Sequence, residues 1–285
     1  MARIASVDPT QLHSAFLEAF ADYAMSASRT TEEQLFLRME KNAVDYDISP
    51  GLYDGDRLVG FTLIGIDTWG DRLTAYDAGT GILPEFRKQG WARKMFEYAL
   101  PALRTRDVGR FVLEVLQQNE PAIKTYRKSG FEIARELKCY VGQAADLREP
   151  NPPSAPEIRP IARSVLADLE PSADWLPSFE NRFSAVDAIS GHVRLTGAYE
   201  GGICVGAAAY APRLNWLLTL LVDREHRRRG VGTALIRHLA DTLPESAARL
   251  TALNVDGDAA GTQAFFTSLG FTYLADQYEM VREID

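Results

Sequence analysis

Apolar and polar residues alternate along the chain with two periods, which predict helices and strands in turn. In the first half, helical spacing covers 10–22 and 31–42, and strand spacing covers 48–53 and 57–66 on either side of the turn Asp54-Gly55-Asp56. The next predicted elements are a strand at 73–83, a helix at 91–106, a strand at 110–116, a helix at 120–129 and a strand at 131–141. Pro101 should kink the helix at 91–106.

The second half repeats this order of elements. We predict a strand at 157–161, helical stretches over 163–185, strands at 195–199, 203–210 and 214–223, a helix at 230–243, a strand at 248–255, a helix at 259–269 and a strand at 271–281. Between the halves, residues 142–156 contain four prolines and resemble a linker. The expected boundaries are an N-terminal domain at 1–145, a linker at 146–156 and a C-terminal domain at 157–285.

The two halves align without a gap when 140 is added to each residue number from 87 to 130. The matched pairs are Arg87 with Arg227, Gly90 with Gly230, Ala92 with Gly232, Gly130 with Gly270 and, one residue further, Phe131 with Phe271. A repeat of this kind indicates an internal duplication of one α/β domain.

Composition and charge narrow the class of protein. With 285 residues, 46% hydrophobic and 25% charged, the chain is typical of globular proteins. Its longest apolar run, Trp216–Val222, is too short to span a membrane. The N-terminus has no apolar segment typical of a secretory signal, so we expect a cytoplasmic protein. The net charge is −8. Residues 1–150 contribute −3, from 19 basic and 22 acidic residues, and residues 151–285 contribute −5, from 12 basic and 17 acidic residues. This charge does not favour a nucleic-acid partner.

Candidate metal ligands are scattered along the sequence. The two cysteines, Cys139 and Cys204, lie far apart, and none of the four histidines forms a pair at metal-ligand spacing. We therefore expect no metal site.

Each half has a basic, glycine-containing turn between a strand and a helix. The turns contain R-x-x-G-x-A from Arg87 to Ala92 and R-x-x-G-x-G from Arg227 to Gly232. Backbone N–H groups at a helix start are free to bind an anion, and glycine lets the backbone approach a phosphate closely. Two copies in register make this a stronger signal than one would be.

These turns resemble the acetyl-coenzyme A pyrophosphate loop of the GNAT superfamily of N-acetyltransferases, most closely over 80–131 and 220–271. The resemblance implies an α/β (α+β) fold of two tandem GNAT domains, each with a mixed, mostly antiparallel central sheet flanked by helices. It also implies acetyl-coenzyme A as co-substrate. The residues expected to hold it are Ile82, Leu83, Arg87, Lys88, Gln89, Gly90, Trp91, Ala92 and Asn119 in the first half, and Val222, Arg227, Arg228, Arg229, Gly230, Val231 and Gly232 in the second.

A second motif in the first half, L-E-V…N-x-x-A-I-x-x-Y-x-x-x-G-F over 113–131, is similar to a signature of many GNAT enzymes. By this resemblance, Tyr126 protonates the departing thiolate, Asn119 hydrogen-bonds the pantetheine arm and Glu114 deprotonates the amine. An amine with a pKa near that of lysine, about 10.4, must lose a proton before it can attack a thioester. The backbone N–H of Ile82 would donate to the thioester carbonyl. Alternatively, Tyr126 is a core aromatic and Glu114 a solvent-facing strand residue.

The second half differs where chemistry would occur. At the matching positions Glu114 becomes Asn254, Asn119 becomes Ala259 and Tyr126 becomes Phe266. Phenylalanine has no proton to donate, and asparagine is not a base. We therefore predict that the C-terminal domain has lost catalysis while retaining coenzyme A binding. Tyr273 and Tyr278 could replace the acid, but strand aromatics are more often core residues.

The acyl acceptor is less well specified. In GNAT enzymes it enters between the first two helices and the strand before the phosphate loop. That region offers Tyr23 and Asp77, together with Phe20, Asp22 and Met25, for binding an ammonium group. Gly79 and Gly81 predict a bulge that separates two strands.

The expected function is transfer of an acetyl group to a primary amine of a small molecule or peptide by direct attack, with Glu114 as base and Tyr126 as acid. We expect neither a nucleic-acid nor a membrane partner, and the sequence does not specify the oligomeric state. Two alternatives stay open at this stage: a non-catalytic coenzyme A binding or sensing protein, and catalysis by the C-terminal domain.

Overall fold

The computed structural model describes residues 2–22, 29–148, 155–243 and 249–284. The chain divides into two compact units: Met1–Arg135 together with Tyr278–Asp285, and Glu136–Gln277. Tyr23 and Met25, both expected near the acceptor, lie outside the described residues, as does part of the predicted linker at 149–154.

In its described residues, the first unit contains a sheet flanked by four helices. The helices are α1 (Pro9–Ala19), α2 (Glu32–Lys41), α3 (Trp91–Thr105) and α4 (Glu120–Lys128). The strands, in spatial order, are β1 (Arg3–Ser6), β2 (Pro50–Asp54), β3 (Arg57–Trp69), β4 (Arg72–Ile82), β5 (Arg110–Leu116) and the C-terminal part of β12 (Thr272–Glu283). Neighbours from β1 to β4 are antiparallel, whereas β4 and β5 are parallel.

The second unit repeats this plan. Its helices are α5 (Ala144–Leu147), α6 (Arg163–Leu169), α7 (Phe183–Ala188), α8 (Val231–Asp241) and α9 (Ala260–Ser268). The strands, in spatial order, are β6 (Glu132–Gln143), β11 (Arg249–Asp256), β10 (Trp216–Val222), β9 (Ile203–Ala211), β8 (Arg194–Glu200) and β7 (Glu157–Pro160). Only β10 and β11 pair in parallel among these neighbours. The mixed, mostly antiparallel sheets agree with the expected fold class.

The units are bounded differently from the expected domains 1–145 and 157–285, because most of β6 belongs to the second unit and the C-terminal part of β12 to the first. Most of β6 pairs with β11, where Leu250 lies opposite Gly142, and Tyr140 stacks on Phe266 with ring centroids 5.7 Å apart. In the first unit, Met280 of β12 is buried in the same cluster as Phe111. Pairing between residues more than a hundred positions apart leaves no periodic signal in the sequence.

Several local elements differ from the predictions. The helical stretches expected over 163–185 are α6 and α7, which are short and are separated by turns at Glu170–Ser172 and Phe179–Asn181. The interruption contains Pro171 and Pro177, which disfavour a continuous helix. Strand β1 and helix α5 were not predicted, and both are only four residues long. Helix α3 continues past Pro101, and the kink expected there stays a prediction.

The core of the first unit covers both faces of its sheet. On one face, Leu12 and Phe16 of α1 pack in a cluster with Phe61 and Leu63 of β3. In a second cluster, α3 and α4 pack on β5; its members include Phe96, Ala99, Leu103, Phe111, Leu113, Val115 and Phe131. Within the described ranges, no helix is long and apolar enough to cross a membrane.

Candidate active site

Strands β4 and β5 diverge and leave a gap at their C-terminal ends. They are paired only at Thr74 with Arg110, Ala75 with Phe111 and Tyr76 with Val112, although β4 continues to residue 82 and β5 to residue 116. The register of β4 on β3 shifts by one residue here, since Ile64 lies opposite Asp77 and Leu63 opposite Gly79. The bulge expected from the glycines is therefore present and centred on Ala78.

The loop before α3 presents backbone N–H groups at the same edge of the sheet. Lys88 and Gly90 both have left-handed backbone conformations, with φ of +62° and +77°. The N–H of Lys94 is bonded to the carbonyl of Gly90, so the N–H groups of residues 91–93 precede the first turn's hydrogen bonds. With the positive end of the helix dipole, these groups form a site suited to a phosphate.

The loop arginine is directed away from this site. The Nε of Arg87 donates to the carbonyl of Ile82 (2.9 Å), and its Nη2 donates to the carbonyl of Ala19 (2.9 Å). Both Nη atoms also pair with the carboxylate of Asp22, at 2.6 and 2.9 Å. The guanidinium expected to contact coenzyme A therefore ties the end of α1 to the end of β4.

Ile82 and Leu83 have different backbone roles. The N–H of Leu83 donates to the carbonyl of Val59 (3.0 Å), which places the backbone polar groups of Leu83 toward β3. Because these directions alternate along an antiparallel pair, the N–H of Ile82 points away from β3, toward the gap. Ile82 therefore has the orientation expected of a donor to a ligand, whereas the amide of Leu83 is used within the sheet.

Glu114 and Tyr126 approach the gap from opposite faces of the sheet. Leu113 and Val115 of β5 are buried in the cluster with α3 and α4, so side-chain alternation directs the half-buried Glu114 to the other face. Tyr126 of α4 packs edge-on against Phe96 and Phe131, with ring centroids 5.8 and 5.9 Å away. A base on one face and an acid on the other would flank any group held between β4 and β5.

Asp77 is buried beside Tyr126. Its Oδ2 lies 3.4 Å from the Tyr126 hydroxyl and 2.8 Å from the Thr80 Oγ1, while its Oδ1 accepts the N–H of Gly79 at 3.0 Å. Burial raises the pKa of Asp77 to about 6, although these hydrogen bonds act in the opposite direction. The side chain expected to bind an amine therefore lies on the α4 face, only 6% exposed.

Other predicted residues have clear local roles. The side-chain oxygen of Asn119 caps α4 by accepting the N–H of Ala122 at 3.2 Å. The indole N–H of Trp91 donates to Gln89 at 3.2 Å, and the Lys94 ammonium lies 4.0 Å from the centre of the indole ring. Lys88 and Ala92 complete the loop and the first turn of α3.

The C-terminal unit has a corresponding gap, which opens into a cavity of about 990 Å³. Strands β10 and β11 are paired only at Trp216 with Thr251, and β10 has a bulge at Leu218, the counterpart of Ala78. The lining residues include Val222, Arg227, Arg228, Gly230, Val231 and Gly232. Arg228 and Gly230 have φ of +63° and +85°, so the phosphate loop is repeated. Arg229 follows Arg228 in this loop.

The arginine clamp is repeated as well. The Nε of Arg227 donates to the carbonyl of Val222 (3.1 Å), its Nη2 to the carbonyl of Ser172 (2.7 Å) and its Nη1 to the carboxylate of Asp174 (2.8 Å). This arginine connects the loop to the end of α1 and the residues after it in the first unit, and to the segment after α6 in the second. Its side chain is therefore a structural element of the loop.

At the positions that match Glu114 and Tyr126, the second unit has Asn254 and Phe266, which both line the cavity. Asn254 has a φ of +57° and is buried; its Nδ2 donates to the Ser178 hydroxyl (3.1 Å), and its Oδ1 accepts from Gln277 (2.8 Å). Phe266 is buried against Tyr140 and Phe271. The Asn254 amide therefore links β11 to Ser178 and to Gln277 of β12. Phe266 is part of the hydrophobic core of this unit.

Thr62, Thr80, Ser178 and Gln277 were not predicted as site residues. Thr80 could have been found by comparing the halves, because it corresponds to Leu220 at the same offset of 140. Thr62 could not, because β3 and β9 do not share that offset. Within the described part of the chain, no cluster of three His, Cys, Asp or Glu residues is arranged to hold a metal.

Proteins similar in sequence to parts of this chain are acetyltransferases. The chain is 38% identical over 94 residues to streptothricin acetyltransferase of Streptomyces lavendulae, a match covering 33% of this chain and 48% of that protein. It is 34% identical over 94 residues to N-alpha-acetyltransferase 30 of Schizosaccharomyces pombe, covering 33% of this chain and 63% of that protein. The matches thus span about half to two thirds of these relatives.

Solved structures share the fold over nearly the whole chain. A tandem GNAT protein from the clavulanic acid biosynthesis pathway superposes with a TM-score of 0.74 at 18% identity, covering 100% of this chain and 99% of that one. A GCN5-related N-acetyltransferase from Sphaerobacter thermophilus has a TM-score of 0.72 at 14% identity, covering 99% and 96%. The model of the acetyltransferase (GNAT) family matches residues 11–131 and again 160–271. The chain therefore belongs to the GNAT family of acetyltransferases, with one family match in each half.

Proposed function

We propose that the protein transfers an acetyl group from acetyl-coenzyme A to a primary amine at the gap between β4 and β5. The observation that carries this proposal is the placement of Glu114 and Tyr126 on opposite faces of that gap, beside the phosphate loop. A binding protein without chemistry would not need an acid and a base arranged in this way.

The residues around the gap fit acetyl-coenzyme A. The loop N–H groups at residues 88–92 suit the pyrophosphate, and the space left by the diverging strands suits an extended pantetheine arm. When bound, acetyl-coenzyme A supplies an acetyl group activated as a thioester. The N–H of Ile82 would donate to the thioester carbonyl as negative charge develops on its oxygen.

The protein's own residues would move two protons. Glu114 accepts a proton from the incoming ammonium group, which makes the amine nucleophilic. Tyr126 donates its hydroxyl proton to the departing sulfur from the other face and recovers a proton from solvent after product release. The amine nitrogen forms the new bond to the acetyl carbon as the carbon–sulfur bond breaks, and the nitrogen then loses its second proton to solvent to give the amide. General acid–base catalysis of this kind is typically worth about 10²–10⁴ in rate.

For the C-terminal unit, we infer coenzyme A binding without transfer. Its cavity of about 990 Å³ is lined by a phosphate loop like that of the first unit. Asn254 and Phe266, however, offer neither a base nor an acid. The unit would therefore hold the ligand for stability or regulation.

The direct test is release of coenzyme A thiol from acetyl-coenzyme A in the presence of amines, with mass spectrometry of the products. The panel should include streptothricin and peptide N-termini, because relatives are named for acetylation of such groups, and also polyamines, aminoglycosides and free amino acids. We expect one acetylated amine and a Glu114→Gln, Tyr126→Phe variant that has lost most turnover. Full turnover by that variant would refute this assignment of the active site.

A coenzyme A sensing protein is the competing function, favoured by the open cavity of the C-terminal unit. It predicts tight coenzyme A binding to both units and no acetylated product with any amine in the panel. Calorimetric titration together with the amine panel separates the two functions, because only the acetyltransferase forms a product.

A further inference from the structure

A buried chain of polar groups supports the hydroxyl of Tyr126. The Tyr126 hydroxyl lies 3.4 Å from the Asp77 Oδ2, the Thr80 hydroxyl donates to the same oxygen at 2.8 Å, and the Thr62 hydroxyl lies 3.0 Å from that of Thr80. Asp77 is 6% exposed and Thr62 is fully buried. The chain runs from β3 through the bulge of β4 to α4.

Burying a carboxyl group is costly unless it is well hydrogen-bonded, because water no longer solvates its charge. The raised pKa of Asp77, about 6, reflects this burial. The N–H of Gly79 offsets part of the cost, and this hydrogen bond also fixes the bulge. A group that is unfavourable for folding is retained when it has another role.

The second unit builds the same bulge without these polar groups. Strand register places Leu217, Leu220 and Ala208 where Asp77, Thr80 and Thr62 lie, and Phe266 replaces Tyr126. All four replacements pack in one apolar cluster. The fold therefore does not require the polar groups of Thr62, Asp77 and Thr80. The C-terminal unit, which lacks the Tyr126 hydroxyl, also lacks these three groups.

We propose that Asp77 is a positioning residue that holds the Tyr126 hydroxyl at the gap between β4 and β5, with Thr80 and Thr62 holding Asp77. The inference rests on the proposed function, in which Tyr126 is the catalytic acid. The carboxylate accepts the phenol hydrogen bond and fixes the oxygen until the sulfur departs. The phenol proton then goes to the sulfur, and Asp77 neither gains nor loses a proton in this step.

The Asp77 carboxylate is a polar partner of this hydroxyl, and aromatic rings surround the Tyr126 side chain. The aromatic rings packed on Tyr126 are Phe96 of α3 and Phe131, and Tyr278 of β12 packs against the same cluster. Glu114 is directed to the opposite face of the sheet. The burial of Asp77 on the α4 face also argues against direct binding of the amine.

A double-mutant cycle of Asp77→Asn and Tyr126→Phe tests the inference, with the most active amine of the panel and acetyl-coenzyme A both saturating. Asp77→Asn should lower kcat by about ten- to a hundredfold with little change in the KM for the amine, because a misplaced acid loses rate. In the Tyr126→Phe background the same substitution should change kcat less than about threefold, because coupled residues are not additive. Asp77→Leu, which introduces the residue found at position 217, should stay folded and lose activity in the same way.

A spectroscopic measurement separates this inference from the proposed function. In protein labelled with ¹³C at the tyrosine Cζ, Asp77→Asn should shift the Tyr126 resonance, while that of Tyr53, in another cluster, stays in place. Multiplicative effects on kcat with an unmoved Tyr126 resonance would overturn the role of Asp77 and leave the proposed function intact. A rise in the amine KM alone would overturn it in favour of amine binding. Normal turnover by Tyr126→Phe would instead refute the proposed acid.

Discussion

The guanidinium of Arg87 forms a two-point ion pair with the carboxylate of Asp22, at 2.6 and 2.9 Å. This pair also holds the pKa of Asp22 below its usual value, chiefly through the hydrogen bonds from Arg87. Both residues were expected near ligands, the arginine at the pyrophosphate and the aspartate at the amine. The structure joins them to each other, and the same arrangement recurs at Arg227 and Asp174.

Arg87→Gln should therefore affect folding more than coenzyme A binding. The substitution removes donors to the carbonyls of Ile82 and Ala19, which are part-buried. We expect Tm to fall by about 2–8 °C, consistent with the loss of one or two hydrogen bonds in a protein of this size. Thermal denaturation measures this directly.

The matched variant is Lys88→Gln, one residue further along the same loop. It removes a positive charge without breaking a packed clamp, so the affinity for coenzyme A should fall while Tm stays within a degree or so of the unmodified protein. The reverse pattern, with Arg87→Gln stable but weak in coenzyme A binding, would contradict the structural role of Arg87.

Gly90→Val should weaken binding of acetyl-coenzyme A to the first unit. Gly90 has a φ of +77°, and a Cβ there would point into open space in front of the loop, where we place the pyrophosphate. We expect the KM for acetyl-coenzyme A to rise more than about tenfold, or 1.4 kcal/mol. Gly55→Val is the control, because Gly55 also has a positive φ of +60° and open surroundings but lies in the β2–β3 turn. Equal effects of the two variants on KM would mean that backbone strain, rather than the ligand, is responsible.

Much of this site can be inferred from the sequence, for physical reasons that are local. Gly90 and Gly230 were identified because a strand, a basic turn and a helix follow one another within a few residues, and the structure repeats this turn in both units. Tyr126 was identified from a contiguous motif, and it lies beside the gap. The roles of all three in binding and chemistry stay predictions.

Contacts between residues that are far apart in the sequence could not be inferred from the sequence. Arg87 meets Asp22 across 65 residues, and Thr62 meets Thr80 only because a bulge at Ala78 sets the register between β3 and β4. Neither contact leaves a periodic signal, since side-chain patterns report which face is buried and not which strand lies opposite. For the same reason, the sequence does not predict that most of β6 belongs to the second unit and the end of β12 to the first.

Stability should depend on pH through Asp77. Its pKa is raised from 3.8 to about 6, so its carboxyl is protonated in both folded and unfolded states below about pH 4 and ionised in both above about pH 7. Ionisation is less favourable in the folded state, so stability present at low pH is lost as the pH rises through 6. The full loss for this shift is about 3 kcal/mol.

Comparison with Asp77→Asn isolates this contribution, because asparagine does not titrate. The difference in Tm between the unmodified protein and the variant should move in favour of the variant as pH rises from about 4 to about 7. Denaturation curves at three or four pH values in this window suffice. A difference that is constant with pH would mean that Asp77 titrates near its ordinary value.

The asymmetry between the units gives the last prediction. Both units have the phosphate loop, so calorimetric titration should give two molecules of coenzyme A per chain, and Gly90→Val and Gly230→Val should each remove one. Only Gly90→Val should impair turnover, because Asn254 and Phe266 leave the second unit without an acid or a base.

Trp175 lines the C-terminal cavity and Trp91 begins α3, so Trp175→Phe and Trp91→Phe assign any fluorescence change on binding to one unit. Gly202→Val controls for strain, because Gly202 has the same φ of +85° as Gly230 and lies in the β8–β9 turn. Loss of turnover in Gly230→Val, with Gly90→Val active, would place catalysis in the C-terminal unit.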